Sequence, residues 1–358
     1  MTNTTAMAST EVPIHPWNNA LWQRLTANTR STEAGSAAQA PPQAILLSGM
    51  EGLGKRQLAI QYAAHILQND TVFYHGNHPD CHVLKTENEL IEGQLLSDYA
   101  LRYIEQSKAK AKTVITVDQI RRLIEQVNQF PQMAEHKVIL IDGADNMNTN
   151  AANALLKTLE EPVSKTCFVL ICDHMEKLPV TIKSRCLVVP MQAPASEMGL
   201  QWLQQQTDEP NLEAYLAMAG RAPLLALELL NNDHIQTIRE IFTQLNALWA
   251  NKKSALDVAK EWQQHDAHDV VDMLQKLLID VGKLNTVKEH SDITALNLFF
   301  PVQKEWVSKI AENTNKTALT NTLTVTNESK RLLNTPADDK LIIENLAFNF
   351  AKIIETAL

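Results

Sequence analysis

The sequence predicts an α/β domain built on a parallel sheet, followed by an all-α C-terminal half. Between Ala44 and Val189 short apolar runs alternate with amphipathic stretches, as strands do when helices cross over between them. After Pro194 the strand signals stop, and apolar residues recur at helical spacing to the C-terminus. At 358 residues the chain also exceeds what one hydrophobic core serves, so two or three domains are expected.

Residues 1–13, rich in Thr, Ser and Ala, read as a disordered tail. Trp17, Leu21, Trp22 and Leu25 then recur at helical spacing and predict a short helix over 14–25, before a small-residue loop at 26–43. Strands are expected at 44–48, 138–141, 167–172 and 187–189, with helices at 55–67, 117–128 and 149–160. His78 and Cys81 flank a turn into a further strand, and 87–112 suggests one or two added helices ending in a solvated KAKAK run. Beyond Pro194, Val270, Met273, Leu274, Leu277, Leu278 and Val281 form one apolar stripe, and 341–354 forms another. Gly220 and Pro223 punctuate a smaller first part, so the expected divisions are 14–193, 194–233 and 234–358.

Composition excludes several classes of function. Hydrophobic residues make up 45% and charged residues 20%, which is ordinary globular usage. The net charge, 32 − 41 = −9, repels phosphate, so nucleic-acid contact must come from a local surface or from partner subunits. Cys167 and Cys172 sit in an apolar run and read as reduced core thiols, which points to the cytoplasm. No signal peptide or membrane span is expected, since no run approaches the length of apolar residues that spanning requires.

The chemistry concentrates in three places. Ser48-Gly49-Met50-Glu51-Gly52-Leu53-Gly54-Lys55-Arg56 joins a predicted strand to a predicted helix, the context of a phosphate-binding loop. Gly49, Gly52 and Gly54 permit backbone N–H groups to face phosphate oxygens, and Lys55 supplies charge. Arg56, however, stands where a Ser or Thr hydroxyl would ligate Mg²⁺. The run 137–142 ends in Asp142, which could hold Mg²⁺ through water, but Gly143 occupies the place of the Glu that orients an attacking water. Asp145 is expected to be a turn or helix-capping acid.

The third place is 150–162, NAANALLKTLEEP, followed by Leu178-Pro179-Val180-Thr181-Ile182-Lys183-Ser184-Arg185-Cys186. With the loop and the Asp142 strand in order before them, these blocks resemble the clamp-loader subunits of the AAA+ class, whose signature is the Ser184-Arg185-Cys186 triplet. His78-Pro79-Asp80 and 117–121 match chains of the bacterial DNA polymerase III delta-prime type in the same order, and the degenerate nucleotide site favours that type over the motor. The sensor positions agree, with Cys172-Asp173 and Gly220-Arg221-Ala222-Pro223 departing from the motor's pattern.

The resemblance implies an AAA+ P-loop domain, a small helical lid and a helical collar in a hetero-pentamer with motor (gamma/tau) and delta subunits. It implies no membrane, and contact with the sliding clamp and primed DNA through the complex. Arg185 would be an arginine finger acting in trans, flanked by Ser184 and Cys186. Gly49, Gly52, Gly54, Lys55, Arg56 and Asp142 would form a degenerate nucleotide site at which bound ATP and Mg²⁺ stay an open question. Any polymerase or nucleotidyltransferase activity would belong to the holoenzyme. Two other readings stay open: an autonomous AAA+ ATPase, either motor or DNA-repair remodeller, and a stand-alone nucleotide-binding regulator. The four-cysteine zinc module that such chains often carry is missing from 68–77, and although His75, His78, Cys81 and His82 lie close together, no zinc is expected.

Overall fold

The computed structural model describes residues 13–27, 40–68, 70–91, 94–104, 111–161, 165–231, 234–287, 296–333, 335 and 337–356. The tail at 1–12, most of the 26–43 loop, Pro162 and the start of the KAKAK run lie outside them. Contacts divide the chain into two compact units, Met1–Pro194 and Ala195–Leu358.

In the first unit a 3₁₀ turn, Pro16–Asn18, leads into α1 (Asn19–Thr26), where a single helix over 14–25 was expected. Pro16 fixes the tight first turn. Then follow β1 (Ala44–Ser48), α2 (Lys55–Leu67), α3 (Asp70–Tyr74), β2 (Cys81–Leu84), α4 (Leu95–Ala100), α5 (Val117–Val127) and β3 (Lys137–Asp142). The unit closes with α6 (Thr149–Glu160), β4 (Thr166–Cys172), α7 (Val180–Lys183) and β5 (Leu187–Pro190).

All five strands are parallel, in the order β2-β3-β4-β1-β5. Each of β1 to β4 is buried along its whole length, because helices cover both faces. Leu46, Ile139, Ile141, Phe168 and Leu170 pack with Ile120, Leu123, Leu155 and Leu159 of α5 and α6. The alternate strand residues face the other way, toward the side on which α2 packs against β1, β3 and β4. Because every strand runs in one direction, the carboxyl ends of β1, β3 and β4 share one edge, and this brings 49–56, 142–145 and 173 together.

Among its described residues the added segment 87–112 contains a 3₁₀ turn, Glu87–Glu89, then the α-helix α4 and a second 3₁₀ turn, Leu101–Tyr103. It packs on β2, the strand at one end of the sheet. Tyr99 accepts the His78 N–H at 3.0 Å and donates to the Phe73 carbonyl at 2.9 Å. Tyr103 meets His82 Nδ1 at 2.5 Å. Asp80, fully buried, accepts the N–H groups of Gln132, Met133 and Ala134 at 2.6, 2.7 and 2.7 Å and so anchors the loop before β3.

The second unit is entirely helical among its described residues. Helices α8 (Ser196–Gln204), α9 (Leu212–Met218) and α10 (Pro223–Asn231) enclose Leu203, Leu212, Leu216, Ala219 and Ala226. Helices α11 (His234–Trp249), α12 (Ala255–Trp262), α13 (Ala267–Val287), α14 (Lys304–Asn313), α15 (Lys316–Leu332) and α16 (Asp339–Thr356) follow. Phe242, Trp262, Leu274, Phe300 and Leu346 lie in their common core. Buried Asp280 accepts the N–H groups of Phe299 and Phe300 at 3.0 and 2.9 Å, which ties α13 to the segment entering α14. Among the described residues no helix is long and apolar enough to cross a membrane.

Burial, with Lys137 and Arg102 nearby, pushes the His82 imidazole down to about 4. The unfolded chain therefore binds the proton more readily, and stability falls as the pH drops from the ordinary histidine value of 6.5 toward 4. We expect His82→Leu to flatten this slope in pH-dependent denaturant unfolding, by roughly 1–3 kcal/mol across the window. An unchanged slope would contradict the assignment to His82.

Candidate functional site

The site begins with the loop between β1 and α2. Gly49 lies so close to the chain after β5 that a Cβ there would sit 2.4 Å from the Met191 carbonyl oxygen. Gly54, at φ +83°, faces the segment before α1, and a Cβ would meet His15 Cδ2 at 2.7 Å. That segment clasps the loop from outside, since Trp17 Nε1 and Asn18 Nδ2 both donate to the Leu53 carbonyl at 2.9 Å. The glycines thus serve close backbone packing as well as loop shape.

Lys55 is buried and turned back onto the loop. Its Nζ donates to the carbonyls of Gly49 and Met50 at 2.7 and 2.6 Å and pairs with the Asp173 carboxylate at 2.5 Å. An ammonium has three donors, and these partners can take all of them. Asp173 is presented for this by Asp145, whose carboxylate accepts the N–H groups of Asp173 and His174 at 3.4 and 3.1 Å. Asp145 lies in a 3₁₀ turn, Ala144–Asn146, so the turn placement holds while its carboxylate reaches across to the end of β4 instead of capping a helix of its own.

Asp142, at the end of β3, is fully buried. Arg56 Nε lies 2.9 Å from each of its oxygens, and Lys85 Nζ lies 3.5 Å from Oδ2. Arg56 also reaches Glu89 Oε2 at 3.3 Å. Burial alone would loosen the Arg56 proton, but the charge and hydrogen bond of Asp142 outweigh it, with Glu89 and Asp173 adding, and the guanidinium is held more firmly cationic. Burial raises the Glu89 carboxyl, and the Asp142 charge adds to that against the pull of Arg56. The two protein ligands of a Mg²⁺ ion, a hydroxyl and a carboxylate, are here a guanidinium and the carboxylate it neutralises. The residues present do not fit that metal in this arrangement.

Gly143, at φ +75°, follows Asp142 in left-handed backbone, where a Cβ would lie 2.8 Å from Asn146 Nδ2. The missing catalytic Glu is thus accompanied by a backbone that resists any side chain at that position. Sequence reading named Lys55, Arg56, Asp142 and Asp173 but missed Lys85 and Glu89, which carry no motif and reach the site from the loop after β2.

Arg185 lies elsewhere, between α7 and β5, with its side chain 30% exposed. It donates to Glu160, at the end of α6, and to the Thr181 carbonyl at 2.8 Å. Ser184 Oγ donates to that same carbonyl at 3.1 Å, while Cys186 is half-buried. Val180 and Leu187, near Arg185 in sequence, are 73% and 53% exposed. The four residues considered for metal do not converge: His75 turns to the Thr71 carbonyl and His82 to Tyr103, while His78 Nδ1 accepts the Asp80 N–H. Cys81 and His82 are adjacent on β2 and point to opposite faces.

A parallel sheet with a glycine-rich loop after β1 and an acid closing β3 defines an α/β domain of the P-loop type. The family described as "DNA polymerase III, delta subunit" matches residues 28–195. A DNA polymerase III subunit delta' of Pseudomonas aeruginosa is 35% identical over 70% of this chain and 71% of its own length. The subunit delta' of Haemophilus influenzae is 32% identical over 67% and 70%. A subunit tau of Escherichia coli is 31% identical over 50% of this chain and 25% of its own length. The chain belongs to the delta' family of DNA polymerase III clamp-loader subunits.

Replacing Arg56 by Ala leaves buried Asp142 with Lys85 alone. Because the guanidinium is partly solvated, the expected loss is roughly 1–2 kcal/mol, less than for a fully buried pair. Gly143→Glu should cost about 1 kcal/mol or more through its positive φ. Shifts in urea midpoint check both, and wild-type midpoints would contradict the described geometry.

Proposed function

We propose that the chain works as the delta' subunit of a cytoplasmic clamp loader, assembling with tau/gamma motor and delta subunits that place a sliding clamp on primed DNA. Its own nucleotide site is closed, and its part in ATP hydrolysis is to supply Arg185 to a neighbour's nucleotide. The observation that carries the closed site is the Arg56–Asp142 pair, in which a fixed cation takes the position a Mg²⁺ ion would need. The partly exposed guanidinium of Arg185, with apolar Val180 and Leu187 beside it in sequence, supports a face that meets another subunit. A positive charge there would stabilise charge developing on a γ-phosphate, as fingers supplied in trans do. Within the helical half, 194–233 would be the lid and 234–358 the collar through which subunits associate.

An autonomous ATPase would require Arg56 to leave Asp142, Lys55 to leave Asp173, and a water-orienting group in place of Gly143. The delta' reading requires none of these changes.

A clamp loader reconstituted from this chain and its motor and delta partners tests the reading. With Arg185→Ala we expect DNA-stimulated ATP turnover to fall by at least about ten-fold while the complex still assembles, because a finger supplied in trans stabilises the charge of the transition state. Turnover unchanged in an intact complex would sink the finger assignment.

A further inference from the structure

Helix α6 ends on Glu160 and is followed by Glu161, two acids where the helix dipole favours cations. Glu160 has a specific partner that offsets this placement. Arg185 Nε donates to its Oε1 at 2.8 Å, and Arg185 Nη2 donates to the same oxygen. Nη1 donates to the Thr181 carbonyl at 2.8 Å and lies 3.4 Å from Ser184 Oγ. All three guanidinium nitrogens are therefore engaged within the chain, although a finger needs those donors and that charge for a phosphate.

We propose that Glu160 is a latch for Arg185, holding the guanidinium in cis until a neighbouring subunit's nucleotide draws it away. The inference rests on the trans-finger reading above. The pair's exposure suits a latch, with Arg185 30% and Glu160 48% exposed. Solvent keeps such a pair weak, so the several negative charges of a triphosphate can outcompete one carboxylate. A buried pair would release its cation only at a large desolvation cost. While the latch is closed, the Glu160 charge also cancels much of the field that Arg185 would present. Glu160 is thus a positioning residue that acts through Arg185 and restrains hydrolysis when the subunits are not fully engaged.

The test uses the reconstituted complex with wild-type chain, Glu160→Gln, Glu160→Ala, Arg185→Ala and Glu160→Gln/Arg185→Ala, measuring ATP turnover with and without primed DNA. Glu160→Gln and Glu160→Ala should raise DNA-independent turnover roughly two- to five-fold, the scale of an exposed ion pair. That rise should vanish in the Arg185→Ala background. A purely structural Glu160 could lower turnover but would not produce a rise that needs Arg185. No rise with either variant, or the same rise without Arg185, overturns the latch. If Arg185→Ala lowers turnover while the Glu160 variants match wild type, the latch alone fails; if Arg185→Ala changes nothing, the finger reading fails and the latch with it.

Discussion

A guanidinium held against a fully buried carboxylate is the contact on which the rest of the site depends. Asp142 ends a strand with both faces covered, and a carboxylate there must be paired or lose its charge. In a metal-dependent site a divalent ion would satisfy it. Here Arg56 does so from the first turn of α2, assisted by Lys85, and the compensation is covalently attached. The other half of the site follows the same rule. Lys55 is satisfied by two loop carbonyls and by Asp173, so both of these charges are compensated within the chain.

This internal closure explains how a P-loop can persist in the fold while the hydroxyl and the water-orienting acid are absent. The loop still has mechanical work. Gly49 admits the chain after β5, Gly54 admits the segment before α1, and the Leu53 carbonyl collects Trp17 and Asn18. Residues of the loop thereby serve as packing and ion-pair elements at the carboxyl edge of the sheet. Arg185 projects its partly exposed charge from a different part of the same unit.

Much of this was legible in the sequence, because the informative residues are contiguous. The loop 48–56, the strand ending in Asp142 and the Ser184-Arg185-Cys186 triplet each declare themselves within a few positions. The doubly covered strands read as apolar runs for the same reason that they are buried. What escaped was set by strand order. Lys85 and Glu89 reach Asp142 and Arg56 only because β2 lies beside β3, and no local periodicity encodes that neighbour relation. Asp145 read as a turn acid, and its turn is there, but its partners lie at the end of β4. Glu160 was visible within NALLKTLEEP, yet its pairing with Arg185 depends on α6 and α7 packing together.

Binding of ATP to the isolated chain, titrated by calorimetry with and without Mg²⁺, bears most directly on the closed site. The Arg56–Asp142 and Lys55–Asp173 pairs predict no saturable binding at cellular nucleotide concentrations, with or without the metal. Saturable, Mg²⁺-dependent binding that Lys55→Ala abolishes would contradict it and show that the two ion pairs open for a nucleotide.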